Sequence, residues 1–141
     1  MSHPTVNLDT AREFVRSNHR AVLATFRKDG RPQLSPITCA VDRDGSVVVS
    51  SRETAIKTTN VRRDPRVSLC VMNEGFFGEW VQIDGRAEVV SLPEAMEPLV
   101  EYYRAVSGEH PDWDDYRAAM ARDRRVILRI APERAGPDRS G

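Results

Sequence analysis

Short apolar runs follow one another along the first half of the chain, and turn sequences separate them. Residues 21–26 form the first run, and residues 33–41 form the second after the turn sequence Lys28-Asp29-Gly30. Asp44-Gly45 precedes a third run at 46–50. Strand-like runs joined by such short turns predict an antiparallel meander, because parallel strands need much longer crossover connections.

The second half of the chain predicts three further strands. Residues 67–72 are nearly all apolar, so we expect burial on both faces, whereas residues 80–89 alternate and should be buried on one face. Gly85 lies within the alternating strand, where a β-bulge or a close backbone approach is the usual reason. Residues 124–130 predict the last strand, which Pro132 should end.

Helix-start signals predict helices outside this sheet. Thr10 and Glu13 form a capping-box pattern before a short helix that should run to about Asn18, and Ser91 and Glu94 form a second such pattern.

The helix after Ser91 contains Pro98, which should kink or split it, and Gly108 should end it. Residues 113–122 predict a further helix, whose first turn is acidic as the helix dipole prefers.

Six strands with helices only at the ends and in one crossover predict a mainly β (α+β) fold, a small barrel of antiparallel strands with peripheral helices. The 141 residues should form one domain with a core at about 8–132. Residues 133–141 have no apolar content to hold them, so we expect a mobile tail.

The charge balance indicates that any site for an anion must be local. The chain has 21 cationic and 21 acidic residues, so no overall field would attract nucleic acid or an anionic membrane. No apolar run approaches the ~20 residues that span a bilayer, and no basic-then-apolar leader opens the chain. We therefore expect a cytoplasmic protein.

Cysteine and histidine positions give little support to a metal site or a disulfide. Cys39 and Cys70 lie in apolar runs and are expected to be small buried residues in a reducing compartment. His3, His19 and His110 are scattered and form no ligand spacing with either cysteine.

The segment 50–65 is the first candidate site. It reads as a polar loop and then a short helix beginning near Thr54, and Lys57 lies within about one turn of that start. Only Lys28 and Lys57 are lysines among the cationic residues. A helix start with a nearby lysine suits a phosphate, although an ordinary solvated helix face explains the same residues equally well.

The segment 30–36 is the second candidate site, because Pro36 removes a hydrogen-bond donor from a predicted strand. Its free backbone groups would suit a ligand, and an edge strand protected from aggregation is the alternative. In a meander the strands that carry the two sites are neighbours, so both could line one groove.

Two other clusters carry weaker signals. Arg62, Arg63 and Arg66 could bind nucleic acid, but the zero net charge favours a solvated helix end. Phe76 and Phe77 are adjacent aromatics in a predicted loop, so the core of this chain or a partner should cover them.

Read together and in order, several motifs resemble a known family. They are Gly30-Arg31-Pro32-Gln33-Leu34-Ser35-Pro36, Ser51-Arg52, Lys57 to Arg66 and Trp113-Asp114-Asp115-Tyr116-Arg117. The chain resembles, over about residues 8–132, the split β-barrel flavin/deazaflavin oxidoreductases related to pyridoxamine 5'-phosphate oxidase. It is most similar to the actinobacterial branch that uses coenzyme F420. It departs from that branch after Pro132, where residues 133–138 are polar rather than apolar and aromatic.

The resemblance implies a homodimer that binds its cofactor at the subunit interface and reduces an electron-poor small molecule with hydride from reduced F420. FMN as the cofactor, or an F420 carrier without turnover, are the alternatives. It implies no catalytic side chain of the protein and no metal ligand. The cofactor-binding residues that it implies are Gln33, Leu34, Ser35, Pro36, Ser50, Ser51, Arg52, Lys57, Thr58, Asn60 and, from the other subunit, Trp80.

Overall fold

The fold is that of a computed structural model, which describes residues 6–136. Its strands all pair antiparallel in a single sheet with the order β2-β1-β5-β6-β7-β4-β3. These strands are β1 (Arg20–Phe26), β2 (Pro32–Thr38), β3 (Ala40–Val41), β4 (Val47–Arg52), β5 (Arg66–Met72), β6 (Trp80–Val90) and β7 (Arg125–Ala135).

One buried residue, Cys39, separates β2 from β3, although these strands lie at opposite ends of the strand order. The two edges of the sheet must therefore approach each other, which curls the sheet into a split barrel. Cys39 donates its backbone N–H to the carbonyl of His19 at 2.7 Å. The predicted mainly β barrel is confirmed, but with seven strands instead of six, because the predicted strand 33–41 breaks at Cys39.

Four helices accompany the sheet: α1 (Leu8–Ser17), α2 (Ile56–Arg63), α3 (Met96–Ser107) and α4 (Trp113–Arg122). The predicted capping boxes are wrong at both positions. α1 begins after Asn7, whose side chain accepts the N–H of Asp9 at 2.7 Å, and α3 begins after Ala95. Pro98 consequently lies in the first turn of α3, where its missing N–H has no intrahelical partner to lose, and the helix continues past it.

Two apolar cores hold these elements together. The inner core fills the barrel and includes Leu23, Leu69 and Ile83. The outer core lies between β4, β7 and the helices α3 and α4, where Ile127 meets Leu99.

α2 packs against β1, β4 and β6, and its Val61 belongs to the inner core. The residues of α2 therefore divide between a buried face inside the barrel and an exposed face outside it.

The strand β5 differs from its prediction. Val67, Leu69 and Val71 are buried, while the alternate residues Cys70 and Met72 are half-buried on the opposite face. Burial on both faces was therefore wrong, because the outward face of this part of the sheet is not covered. Cys39 is fully buried as expected, and Cys70 only half so.

The last strand continues past Pro132, where we expected it to end. Pro132 lies opposite Gly85, at the register shift between Asp84 and Gly85, and a bulge tolerates the missing ladder donor. Ala135 is buried in the inner core, and its carbonyl accepts the N–H of Val6 at 3.0 Å. The predicted mobile tail is thus wrong for residues 133–135, and residues 137–141 lie outside the described residues.

Within residues 6–136, no helix has both the length and the apolar character needed to cross a bilayer. The same residues contain no group of three or more histidine, cysteine or acidic side chains arranged for a metal ion. His3 lies outside this range.

The bulge at Gly85 generates a test of the fold. A Cβ at this position would lie 2.3 Å from the carbonyl oxygen of Ala131, a backbone atom that cannot move aside. Gly85→Ala should lower the free energy of unfolding by about 1–3 kcal/mol, as overpacking of a core does. Gly75→Ala is the control, since its Cβ would meet nothing closer than 3.6 Å. Urea unfolding of both variants measures the difference, and equal stability would show that the approach of β7 to Gly85 is wrong.

Candidate functional site

Strand β4 reaches further than the sequence predicted, and this changes the environment of the first candidate site. Ser51 and Arg52, beyond the predicted strand 46–50, belong to β4 rather than to a loop, and α2 begins after Ala55, one residue later than the predicted start near Thr54. Ala55 provides no side chain to cap the helix. The first N–H groups of α2 therefore have no side-chain acceptor, as an anion-binding helix start requires.

Ser51 and Thr58 face the interior, where they connect β4 to α2. Thr58 donates its hydroxyl proton to the carbonyl of Arg52 at 2.6 Å, so Ser51 must donate to Thr58 across the 2.8 Å between their oxygens. Both residues are buried. Their hydroxyl protons therefore hold α2 on the strand and are not directed at a ligand.

Asn60 extends the same arrangement to the first two strands. Its amide nitrogen donates to the Thr25 hydroxyl at 3.1 Å, and Thr25 in turn donates to the side-chain oxygen of Gln33 at 3.3 Å. The Asn60 oxygen accepts from Arg63 at 3.0 Å. This chain fixes the orientation of the Gln33 amide and leaves its two N–H donors for another acceptor.

A groove of about 530 Å³ brings parts of the two candidate sites together. The prediction that their strands are neighbours is wrong, because β2 and β4 are not paired, but the curled sheet places them against each other at the split. The groove is lined by Pro36, Ile37 and Thr38 of β2, Ser50 of β4, Lys57 of α2, Tyr102, Tyr103, Tyr116 and Met120 of α3 and α4, and Arg125 of β7.

Two cations face this groove without a carboxylate to balance them. Lys57 and Arg125 form no ion pair with any residue from 6 to 136, and the Nε atom of Arg125 is buried without a hydrogen-bond partner. Burial and the nearby charge of Arg125 lower the pKa of Lys57 from its usual value of 10.5. An anion bound in the groove would offset the repulsion between Lys57 and Arg125 and would raise the pKa of Lys57 again.

The carboxylate of Glu53, on the segment between β4 and α2, is already engaged. Glu53 accepts from Arg62 at 2.7 Å and from the hydroxyl of Ser91 at 2.6 Å. The hydrogen bonds from Ser91 and Arg62 lower the pKa of Glu53, which keeps it ionised and bound to them. Glu53 lines a neighbouring recess with Arg125, but its ion pair in the described chain is with Arg62 and not with either cation of the groove.

The β2 wall of the groove is an edge strand, as Pro36 predicted. The hydroxyl oxygen of Ser35 is buried without a hydrogen-bond partner in the described chain, and Ser35 does not itself line the groove. Leu34 projects on the other face of the strand and is 63% exposed.

The opposite wall is aromatic. The Tyr102 hydroxyl donates to the carbonyl of Thr38 at 3.2 Å, and Tyr116 donates to the carbonyl of Leu99 at 2.8 Å. Burial raises the pKa of Tyr102, and it raises the pKa of Tyr116 to about 12. Both phenols therefore stay protonated near neutral pH and present a flat, uncharged surface to the groove.

The predicted site residues divide into four groups. Pro36, Ser50 and Lys57 line the groove, while Arg52 is exposed at the end of β4. Trp80 begins β6 opposite Met72 and does not line the groove of its own chain. The buried or neighbouring residues are Gln33, Leu34, Ser35, Ser51, Thr58 and Asn60.

The sequence reasoning missed Arg125 and the tyrosines of the aromatic wall. Arg125 is paired directly opposite Arg52, a placement of like charges that is unfavourable without an anion between or beside them. That signal depends on the register of β4 and β7, which are far apart in the sequence.

A second recess of about 550 Å³ lies on the other side of Tyr102. Its charged residues are balanced, since Arg43 pairs with Glu101 at 2.5 Å and Arg129 donates to Glu88 at 3.3 Å. The recess lacks the uncompensated charge that distinguishes the groove.

Comparison with known proteins places the chain among related folds. A family model described as pyridoxamine 5'-phosphate oxidase matches residues 8–137. The crystal structure of the conserved hypothetical protein Rv2991 from Mycobacterium tuberculosis is 28% identical, with a TM-score of 0.76 over 96% of this chain and 86% of that chain.

Two further structures are 20% identical to this chain, a level that shows the fold alone. One is described as an F420 reductase, with a TM-score of 0.69 over 89% of this chain and 94% of the other. The other, from Listeria innocua, is provisionally described as a pyridoxamine 5'-phosphate oxidase, with a TM-score of 0.66 over 92% and 95% of the two chains.

The buried contact between Ser51 and Thr58 generates a test of its structural role. Thr58→Val should lower the free energy of unfolding by about 1–3 kcal/mol, because it leaves the buried Ser51 hydroxyl without a partner and removes one of the donors to the Arg52 carbonyl. The control is Thr59→Val, an exposed neighbour on the same helix whose replacement should change stability by less than about 0.5 kcal/mol. Equal stabilities in urea unfolding would contradict the role assigned to Thr58.

Proposed function

This chain belongs to the pyridoxamine 5'-phosphate oxidase family, a family of flavin-type oxidoreductases, and we propose that its own cofactor is coenzyme F420. In this proposal the protein is a reductase that passes hydride between reduced F420 and an electron-poor small molecule. The observation that carries it is the groove with an edge strand on one side, an aromatic wall on the other and two unpaired cations, Lys57 and Arg125.

The residues present fit an anionic, ring-containing cofactor. The cation Lys57 and the uncapped start of α2 suit a phosphate, and the buried hydroxyl of Ser35 has no partner in the described chain. Gln33 offers oriented N–H donors, which suit the polar edge of a ring system. When bound, the deazaflavin supplies the hydride chemistry, and the protein supplies binding, orientation and exclusion of water.

The described groove contains no carboxylate and no histidine among its lining residues. Its tyrosines are held neutral by their raised pKa values. These features support a site in which the chain positions the reactants and transfers no proton through an acidic or basic side chain.

The predicted site residues take two roles in this proposal. Lys57, Ser50 and the β2 segment from Gln33 to Pro36 contact the cofactor. Ser51, Thr58 and Asn60 hold α2 and Gln33 in position through the buried hydrogen bonds between them.

A homodimer is the second part of the proposal, and the outward face of β2, β1, β5 and β6 supports it. Three rows of paired residues cross this face, and they include Leu34 with Ala24, Pro36 with Val22 and Cys70, and Met72 with Trp80. We name this surface the outer face. Its apolar residues are exposed or half-exposed, so a second copy would bury them.

The outer face reaches the groove at Pro36, so residues of a docked partner would lie beside the cofactor. Trp80 is on the same face and is the residue that we propose comes from the partner. Arg52 is exposed at the end of β4 and remains a proposed contact. Two cysteines without a disulfide agree with the reducing cytoplasm that we propose as the compartment.

Titration with F420 and with FMN, followed by fluorescence, tests the cofactor assignment. We expect micromolar or tighter binding of F420, and Lys57→Ala should weaken it at least about tenfold, because a charge-assisted contact is lost. Lys28→Ala is the matched control, since Lys28 is the other lysine and lies in the exposed turn after β1. Tight binding of FMN without binding of F420 would contradict the F420 assignment, and F420 binding with no hydride transfer to any acceptor would favour a carrier.

The pH dependence of binding gives an independent check on Lys57. Only the protonated amine attracts the phosphate, so affinity should fall as the pH rises through the Lys57 pKa, which lies below 10.5. In Lys57→Arg the guanidinium stays charged, and the affinity should stay constant over the same pH range. An identical decline in both proteins would assign the titration to another group.

Light scattering coupled to size-exclusion chromatography tests the dimer. Leu34→Asp places a charge on the outer face and should convert a dimer into a monomer with weaker cofactor binding. Ala118→Asp, on the exposed side of α4, is the control and should stay dimeric. A wild-type monomer at micromolar concentration would exclude the proposed assembly.

A further inference from the structure

We infer that Arg125 is a second anion-binding residue of the groove and that, together with Lys57, it selects ligands that carry a phosphate. The inference rests on the proposed function, because it takes the ligand to be a flavin-type cofactor. It adds a residue that neither the sequence motifs nor the family resemblance assigned.

Arg125 lies in the groove, close to the other proposed anion-binding residue. Arg125 is the first residue of β7. Its side chain lines the groove together with that of Lys57, from the first turn of α2. Its Nε–H is buried and donates to no atom of the described chain. A buried guanidinium N–H without an acceptor is costly, and no atom of the described chain relieves that cost at Arg125.

Two further cations lie near Arg125. Arg52 lies directly opposite it in the strand pairing, and Lys57 shares its groove. The helices α3 and α4 contribute only tyrosines and Met120 to the groove lining.

Glu53, the carboxylate on the adjoining segment, is held by Arg62 and Ser91. Glu53 lines a separate recess together with Arg125, whereas the groove itself presents only cationic and uncharged residues to Arg125. Such a cluster is stable with an anion bound and strained by repulsion without one.

A guanidinium group has the geometry to bind a phosphate. Its planar fork binds two oxygens of a phosphate at once, whereas an ammonium such as that of Lys57 acts as a point charge. The two cations together suit a phosphate monoester, which is doubly charged, or a phosphodiester with a neighbouring carboxylate. They contribute nothing to the binding of an uncharged ring with a ribityl chain.

The test compares ligands with and without the phosphate. F420 and FMN are titrated beside the phosphate-free deazaflavin ribityl compound and riboflavin, using wild type, Arg125→Gln and Arg125→Lys. Arg122→Gln is the matched control, because Arg122 is an exposed arginine at the end of α4.

Arg125→Gln should weaken binding of the phosphate-bearing ligand about 10- to 100-fold and leave the phosphate-free compounds unchanged. Arg125→Lys should recover part of this loss, and the dependence of the dissociation constant on salt should become shallower in Arg125→Gln. Equal losses for both ligand classes would show that Arg125 only shapes the groove, and no loss for either class would overturn the inference.

The same experiment separates this inference from the proposed function. Binding of neither F420 nor FMN to wild type would refute the proposed cofactor but not the anion site. Inorganic pyrophosphate, titrated by calorimetry, then tests Arg125 directly. Weaker binding in Arg125→Gln than in Arg122→Gln would support the inference, and equal binding or no binding to wild type would refute it.

Discussion

The closure of the sheet at Cys39 is the constraint on which the rest of this structure depends. Strands β2 and β3 are the two edges of a seven-stranded sheet, and a single buried residue joins them. The two edges must therefore approach each other. The gap that remains between β2 and β4 forms part of a groove, which residues of both strands line. The candidate site exists because residues 36 and 57, which no strand pairing connects, are brought together there.

The site separates residues that hold the scaffold from residues that meet a ligand. Thr58 and Asn60 use their hydrogen bonds within the protein, on the buried side of α2, whereas Lys57 on the same helix faces the groove. Elsewhere in the described chain, arginines close to carboxylates form pairs, as Arg66 does with Asp64. Lys57 and Arg125 lack such partners, and an uncompensated pair of cations in a groove is the physical sign of an anion site.

Much of the fold followed from local patterns, because turns, alternation and helix periods are encoded by neighbouring residues. The helix at Trp113–Arg122, the end of α3 at Gly108, the bulge at Gly85 and the edge position of Pro36 were all predicted correctly. The capping boxes failed locally, since Asn7 rather than Thr10 caps α1, and other errors arose where distant contacts decide the structure. Ala135 is held in place by its pairing with β6 and its burial in the inner core, and one face of β5 has no element of the described chain packed over it. Neither fact can be read from the neighbouring residues in the sequence.

Part of the candidate site could be predicted from local sequence signals, and part of it depends on strand pairing. Lys57 was found because a lysine near a helix start is a local signal, whereas Arg125 required the pairing of β4 with β7. The family resemblance implied that Ser51, Thr58 and Asn60 contact the cofactor, but it could not show that their side chains form hydrogen bonds within the protein.

We propose that this groove holds the phosphate of a flavin-type cofactor, and both the family and the two unpaired cations of the groove support that proposal. A crystal structure of the protein grown with coenzyme F420 tests it most directly. We expect phosphate density between Lys57 and Arg125, with the ring system beside Pro36. Cofactor density in the recess beyond Tyr102, with the groove empty, would contradict it.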